Sequence, residues 1–353
     1  MLGINIGVDM GTTSIIIYVE DKGIVLSEPT VAAYRKSTGK IAAVGKKALR
    51  MVGRAPKSIE VVRPMKDGVI SDFTAAEHIL RHFLQKICGN MVFKPNVMIC
   101  LPAQVTNLEK RTLLDLATSA GAARACLIEE PIAAAIGAGI DVTYPKGIMI
   151  VDVGGGTTDI AVITMGSMSV SKSVRNAGNA LNESIMRQIR RERDILIGEL
   201  TAEKIKKKIG CAYLREAELA IEARGKSYIT GMPVRFEVTS TEVFLAIREH
   251  LESIAEDVRS VLESTPPELA ADISESGIVM TGGGSLLHGF DEFLAKKMNI
   301  AVRVAEDPVN CVAKGIGKVL KNMEMLVNGG YIFKTRDDIR GYSDYTDGLL
   351  EGQ

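Results

Sequence analysis

The chain has 353 residues, 46% of them hydrophobic, with 43 basic and 43 acidic side chains and a formal net charge of zero. This composition supplies a sizeable core, which excludes a chain disordered throughout, and the length favours two domains. The balanced charge offers no general attraction for nucleic acids, so no nucleic-acid partner is predicted. The five cysteines show no CxxC spacing, which argues against a disulfide framework and favours a cytoplasmic location.

The first predicted elements are strands rich in Ile and Val over residues 3–26, with one turn at 9–14 and a second at 21–23. A similar arrangement recurs over residues 147–171, where an apolar strand ends in Asp152 and a turn rich in Gly and Thr follows. One motif in each half of the chain predicts two lobes of related fold, with both turns at the cleft between them.

Apolar residues at i, i+3, i+4 and i+7 predict a series of helices between and after these strands. The predicted helices span residues 74–88, 107–120, 131–139, 181–193, 202–209, 240–264 and 286–298. A strand at 97–105 precedes the second helix, and strands alternate with helices along the chain. This alternation is typical of the α/β class. The final segment, 331–353, is acidic, contains Gly and has no sustained apolar face, which predicts a disordered tail.

The two turns, DMGTTS at 9–14 and DVGGGTTD at 152–159, have the composition of phosphate-binding turns. Glycine lets backbone N–H groups approach an oxyanion closely, and the hydroxyls add donors. Asp9 and Asp152 would repel a bare phosphate, so their position indicates a hard cation such as hydrated Mg²⁺ between carboxylate and phosphate. Either turn alone could be an ordinary hairpin turn, but the recurrence favours phosphate binding.

A third glycine cluster, VMTGGGSLLHG at 279–289, follows an apolar stretch and opens a predicted helix. Its N–H groups could meet an anion or a nucleotide sugar. The sequence contains neither a Walker pattern nor a GxGxxG at the first strand, so P-loop and Rossmann folds are not favoured.

Eight strings of the sequence together resemble the MreB/Mbl family of bacterial actins. They lie at residues 6–14, 63–73, 128–139, 150–163, 197–210, 265–273, 278–289 and 305–320. The resemblance covers about residues 3–327. The turns alone would suit the wider superfamily of actin, Hsp70 and sugar kinases, whereas RPMKDGVI, TPPELAADI and AEDPVNCVAKG are more specific to this family.

The resemblance implies an α/β, two-lobed actin-like ATPase fold, in which each lobe has a mixed sheet with helices and a small inserted subdomain. The expected first lobe is 1–142, with an insert at about 31–63. The expected second lobe is 143–311, with an insert at about 179–238. A helix within 312–330 would return to the first lobe, ahead of the predicted tail.

The resemblance also implies ATP and Mg²⁺ as cofactors and assigns roles to matching residues. Asp9 and Asp152 would hold the metal, through water. The nucleotide would be lined by Gly11, Thr12, Thr13, Gly154, Gly155, Gly156, Thr157, Gly282, Gly283 and Gly284. Glu203 and Lys206 match positions that contact the adenosine. Glu130 matches the residue that orients the attacking water, and Thr157 would assist it.

Glu130 has a second interpretation that is compatible with the first. Glu129 and Glu130 precede Pro131 at a predicted helix start, where acidic side chains favour the helix dipole. The family more often reads GTAN at the first turn, where this chain reads GTTS, and carries acids at the positions of Asn179 and Asn182. With fewer carboxylates near the site, efficient hydrolysis is less strongly supported than nucleotide binding. Slow ATP hydrolysis is therefore expected.

The resemblance implies that the chain polymerises with itself into filaments at the inner face of the cell membrane. These filaments would organise cell-wall elongation and rod shape with other cell-shape proteins. Met91, Val92 and Phe93 would contact the membrane from a loop between a helix and a strand, unless they pack on the core instead. Two other classes remain open. An Hsp70-like chaperone ATPase would need a substrate-binding region, and a small-molecule kinase would need a carboxylate base on a substrate hydroxyl.

Overall fold

A computed structural model describes residues 3–89, 94–322, 330 and 332–338 of the chain. The chain divides into two compact units. Unit 1 comprises Met1–Val142 together with Asn310–Gln353, and unit 2 comprises Thr143–Val309. Among the described residues, no helix combines the length and the apolar character needed to cross a membrane.

Unit 1 is built on a five-stranded mixed sheet in the order β10-β9-β1-β2-β3. Its strands are β1 (Asn5–Met10), β2 (Ser14–Val19), β3 (Gly23–Pro29), β4 (Ala32–Arg35), β5 (Ile41–Val44), β6 (Ile59–Val62), β7 (Met65–Lys66), β8 (Val69–Ile70), β9 (Asn96–Leu101) and β10 (Arg124–Glu129). Its helices up to this point are α1 (Lys46–Leu49), α2 (Phe73–Cys88), α3 (Asn107–Ala120) and α4 (Glu130–Gly137). Strands β4, β5 and β6 form a separate three-stranded sheet, and β7 and β8 form a two-stranded one.

Unit 2 repeats the plan with the five-stranded sheet β13-β12-β11-β17-β18. Its strands are β11 (Ile148–Val153), β12 (Thr158–Thr164), β13 (Ser167–Val174), β14 (Ile195–Leu196), β15 (Ala220–Ser227), β16 (Pro233–Thr239), β17 (Ile278–Thr281) and β18 (Val302–Val304). Its helices are α5 (Gly178–Arg193), α6 (Glu199–Ile209), α7 (Ser240–Glu263), α8 (Pro267–Ser276) and α9 (Phe290–Met298). Strands β14, β15 and β16 form a smaller sheet.

The two large sheets have the same strand order and the same directions. In each, three consecutive antiparallel strands are followed by two parallel strands that lie beside the first. The central strand β11 is a near-continuous apolar run and is buried throughout, and β1 is buried at four of its six positions. The predicted duplication of an α/β motif is therefore confirmed in the topology.

The last helix, α10 (Cys311–Lys321), brings the chain back to unit 1 after unit 2 is complete. It packs on the face of the unit 1 sheet at Gly7, where an added Cβ would lie 3.2 Å from Cβ of Ile316. It also crosses α4 so closely that a Cβ at Gly315 would overlap the carbonyl of Ala133. Only glycine leaves room for this crossing.

Several details differ from the sequence predictions. Helices α1 and α8 were not predicted, and α9 begins at Phe290, with Gly289 as its N-cap in the left-handed conformation. In the segment predicted to lack structure from residue 331, Lys334 pairs with strand β10. The backbone N–H and C=O of Lys334 both bond to Ala125, because β10 is an edge strand with unpaired groups to offer.

Candidate functional site

The first turn joins β1 to β2 and is closed by one backbone hydrogen bond. The N–H of Gly11 donates to the carbonyl of Ser14 at 2.9 Å. The segment after β3 braces this turn, since Thr30 donates its hydroxyl to the carbonyl of Gly11 and its N–H to the carbonyl of Thr13. The hydroxyl of Thr12 accepts from the N–H of Gly68 at 3.0 Å. Thr30 was not predicted from the sequence, because two whole strands, β2 and β3, separate it from the turn.

The second turn joins β11 to β12 in the equivalent place and is closed by the equivalent bond. The N–H of Gly154 donates to the carbonyl of Thr157 at 2.9 Å. The start of α5 lies against it, with the N–H of Gly178 on the carbonyl of Gly154 and the N–H of Asn179 on that of Gly155. The two turns predicted from sequence thus share position, closure and composition.

In unit 1, the structure brings Asp9 and Glu130 together around a residue that the sequence did not single out. Asp9 lies near the end of β1, Cys100 near the end of the adjacent parallel strand β9, and Glu130 at the start of α4. The thiol sulfur lies 3.4 Å from Oδ1 of Asp9 and 3.6 Å from Oε1 of Glu130. One ligand atom from each of the three side chains lies within 4.8 Å of the other two.

Burial controls the charge state of this cluster. It raises the pKa of Asp9 to about 6, an effect that the hydrogen bond from Cys100 partly offsets. It also raises the pKa of the Cys100 thiol well above its usual range, and the carboxylates of Asp9 and Glu130 raise it further. The thiol therefore stays protonated at neutral pH and is a poor ligand, whereas the two carboxylates offer the oxygens that Mg²⁺ prefers. A hydrated Mg²⁺ beside Asp9 fits this donor set.

In unit 2, Asp152 is buried at the end of β11 and bonds to the neighbouring strand. The hydroxyl of Thr281 donates to its Oδ1 at 3.0 Å. The third glycine cluster continues directly from Thr281 and packs on the same strand end, so that a Cβ at Gly282 would overlap Oδ1 of Asp152. A Cβ at Gly284 would lie 3.0 Å from the carbonyl oxygen of Val153. The structure thus brings Asp152, the second turn and the third cluster together.

Helix α6 places Lys206 against the second turn. Its Nζ donates to the carbonyl of Gly178 at 2.6 Å, beside Gly154, and burial lowers the pKa of Lys206 to about 8 although Glu203 acts to raise it. Glu203 lies one turn earlier and pairs with the exposed Lys207 at 2.6 Å. Asn182, on α5, is buried, and its Oδ1 has no hydrogen-bond partner among the described residues.

The three apolar residues predicted to contact the membrane, Met91, Val92 and Phe93, lie outside the described residues. The structure therefore assigns them no position.

A family model described as "MreB/Mbl protein" matches residues 3–328 of the chain. The cell shape-determining protein Mbl of Bacillus subtilis (strain 168) is 46% identical over 327 residues, 92% of this chain and 98% of the relative. The cell shape-determining protein MreB of Escherichia coli (strain K12) is 45% identical over 339 residues, 94% and 97% of the two chains.

Solved structures of other proteins share the fold of this chain. The crystal structure of MreB5 of Spiroplasma citri bound to ADP has 36% sequence identity to this chain and a TM-score of 0.88. The match covers 92% of this chain and 98% of the MreB5 chain. The MamK double helical filament has a TM-score of 0.79 and covers 91% of this chain and 99% of the MamK chain. At 22% sequence identity, this match shows a shared fold and no more. The duplicated sheets, the paired turns and these matches over nearly the full length agree: this chain belongs to the MreB/Mbl family.

Proposed function

We propose that this chain is an actin-like protein that binds ATP, assembles into filaments and takes part in determining cell shape. The observation that carries the proposal is the pair of turns with the same closing bond, each following a strand that presents an aspartate near its end. The relatives named as cell shape-determining proteins support the cellular role. Structures of the related MreB5 bound to ADP and to AMPPNP support nucleotide binding.

The proposal assigns nucleotide-binding residues to each unit separately. Gly11, Thr12 and Thr13 in unit 1 and Gly154 to Thr157 in unit 2 would line the phosphates. Gly11 and Gly154 close their turns with their own N–H groups and permit close backbone approach, and the other residues would donate. Lys206 and Glu203 contact the adenosine side, next to the third glycine cluster. Asp9 and Asp152 would hold Mg²⁺ through water, and the metal would neutralise charge on the phosphates.

We further propose slow hydrolysis of the bound ATP. Glu130 accepts a hydrogen bond from the attacking water and orients it toward the terminal phosphate, with help from the hydroxyl of Thr157. The start of α4 fixes the backbone of Glu130, and the thiol of Cys100 lies against its carboxylate. Positioning of this kind is the main demand of phosphoryl transfer to water.

Sedimentation of the purified protein tests the assembly proposal. We expect the protein to pellet with ATP and Mg²⁺ and to remain in the supernatant with EDTA. Asp152→Asn is the matched variant, since its amide oxygen can still accept from Thr281 while the carboxylate charge is lost. It should lose Mg²⁺-dependent ATP affinity and pelleting but keep the wild-type fold. Pelleting that is indifferent to nucleotide and metal would contradict the proposal.

We propose that the filaments lie at the inner face of the cell membrane and organise cell-wall elongation together with other cell-shape proteins. The zero net charge provides little electrostatic attraction to lipid, so apolar contact must supply most of the binding. Met91, Val92 and Phe93 form the proposed contact, worth at most about 1.5–3 kcal/mol each. Many such contacts along one filament would bind together through avidity.

Flotation with liposomes tests this contact. Replacement of both Met91 and Phe93 by Ser should release filaments from lipid without preventing their assembly with ATP, because the change removes apolar area only. The wild-type monomer without nucleotide should bind lipid weakly. Wild-type flotation of the double variant would place the contact elsewhere, and failure of the variant to fold would assign these residues to the core.

A further inference from the structure

The second turn is held by the segment Asn176–Asn179, which follows β13 and leads into α5. Three hydrogen bonds connect this segment to the turn and its strand. Thr158, fully buried, donates its hydroxyl to the carbonyl of Asn176 at 2.7 Å. The N–H of Gly178 donates to Gly154 at 3.1 Å, and that of Asn179 to Gly155 at 2.8 Å. The position of residues 154–157 therefore depends on the position of this segment.

The first turn is held from the same place in its own unit. Thr30 follows β3, which occupies the position of β13 in the duplicated sheet, and it bonds to both Gly11 and Thr13. Each unit thus braces its turn with the residues that follow its third strand. Thr30 bonds directly to the first turn. Asn176 bonds to Thr158 beside the second turn and is itself held by a residue of helix α7.

His250 on α7 holds Asn176 with two hydrogen bonds. The side-chain Nδ2 of Asn176 donates to the backbone carbonyl of His250 at 2.9 Å, and its Oδ1 lies 2.7 Å from Nδ1 of the ring. Because Nδ2 is the donor in the first bond, Oδ1 faces the ring and can only accept. Nδ1 must therefore carry the proton.

The other ring nitrogen completes the assignment. Ser184 on α5 lies 2.7 Å from Nε2 of His250, and Arg187 donates to the same Ser184 hydroxyl oxygen at 2.6 Å. The hydroxyl accepts from Arg187 and donates to an unprotonated Nε2, so the hydrogen bonds run in one direction from α5 to Asn176. Burial, followed by the charge of Arg187, lowers the pKa of His250, which is consistent with a neutral ring.

We propose that His250, protonated at Nδ1 and neutral, is a positioning residue for the phosphate-binding turn of unit 2. It fixes the side chain of Asn176, and the backbone of Asn176 and its neighbours fixes residues 154–157. The proposal rests on the proposed function in so far as that turn binds the phosphates of ATP. His250 itself does not touch the nucleotide in this scheme.

Two substitutions of His250 by amide side chains of similar polarity distinguish the roles of its two ring nitrogens. The amide of His250→Asn reaches the position of Nδ1 and can still donate to Asn176. The amide of His250→Gln reaches the position of Nε2, where it meets Ser184 and leaves Oδ1 of Asn176 without its donor. Loss of one partly buried hydrogen bond corresponds to roughly a tenfold change in an equilibrium constant.

The experiment measures ATP affinity, adenosine affinity and the urea midpoint for the wild type and both variants. We expect His250→Gln to weaken ATP binding about 5- to 10-fold and adenosine binding by less, since the turn contacts only phosphates and the segment reaches the adenosine side only through the bond from Lys206 to Gly178. His250→Asn should restore ATP affinity to within about 3-fold of the wild type. ATP affinity of His250→Gln equal to that of the wild type would overturn the proposal, as would equal losses in both variants.

Amide hydrogen exchange in the absence of nucleotide separates this inference from the proposed function. His250→Gln should speed exchange at residues 154–157 and 176–179, and His250→Asn should not. If the wild type fails to bind ATP, the proposed function fails and the exchange pattern alone decides the positioning role. If His250→Gln does not fold, Asn176→Ala gives the same test, because it keeps the carbonyl that accepts from Thr158 but removes the side chain that His250 holds. Unchanged exchange in a folded variant would refute the role.

Discussion

Replacement of Glu130 by Ala is expected to reduce ATP turnover by roughly 10- to 1000-fold, the scale of lost positioning or acid–base assistance. The carboxylate lies beside Cys100 and Asp9 at the start of α4, so its removal takes away the group proposed to orient the attacking water. The phosphate turns are untouched, and ATP affinity should remain near the wild-type value. Phosphate release measured under saturating ATP gives the turnover.

Glu129→Ala is the matched control for this prediction. Glu129 is the N-cap of α4, so its loss removes an acidic side chain from the same helix start. If Glu130 acts only by stabilising the helix dipole, both variants should behave alike. We expect Glu129→Ala to keep turnover within about 3-fold of the wild type, since a helix-end charge contributes about 0.3–1 kcal/mol. Wild-type phosphate release from Glu130→Ala would remove Glu130 from the mechanism.

Replacement of Gly315 by Ala is expected to lower the free energy of unfolding by about 3 kcal/mol, at the upper end of the usual range for overpacking. The new Cβ would overlap the carbonyl oxygen of Ala133 and lie 2.6 Å from its carbonyl carbon. The obstacle is backbone, which cannot rotate away as a side chain can, so α10 and α4 must separate. Alanine's higher helix propensity, worth up to about 1 kcal/mol, acts in the opposite direction. Urea unfolding followed by circular dichroism measures the net effect.

Gly198→Ala provides the comparison for this substitution. Gly198 is the N-cap of α6, its φ of −85° suits any residue, and an added Cβ would meet nothing within 4 Å. Its free energy of unfolding should fall by only about 1 kcal/mol, the cost of alanine relative to glycine at an N-cap, well short of the change expected at Gly315. Equal midpoints for Gly315→Ala and Gly198→Ala would show that the α4–α10 crossing relaxes freely.

Local signals predicted the fold well where they were strong. Helix α3 has the predicted bounds, 107–120, because Thr106 and Glu109 form a capping box and Gly121 ends the helix. The two turns were predicted because glycine, hydroxyls and an upstream aspartate recur together. Helix α8 was missed because Pro266 precedes it, Pro267 begins it and its apolar face is short, with Ile273 as its one buried residue.

The parts of the site that the sequence did not predict are contacts between distant segments. Asp152 and Thr281 lie on neighbouring parallel strands that only the sheet order brings together. Cys100 meets Asp9 for the same reason, and His250 reaches Asn176 from a different helix. A spacing pattern describes residues that are close along the chain, so such pairings need the tertiary structure.

The division of the chain has a consequence for how the protein is made. Unit 2 is one continuous segment, whereas unit 1 is completed only by residues from Asn310 onward. A ribosome therefore releases every residue of unit 2 before it releases α10, which covers β1 at Gly7 and packs against α4. Domains usually fold from the N-terminus as they emerge. Here the unit that starts first finishes last, and the part of its sheet that α10 covers stays exposed throughout the synthesis of the other.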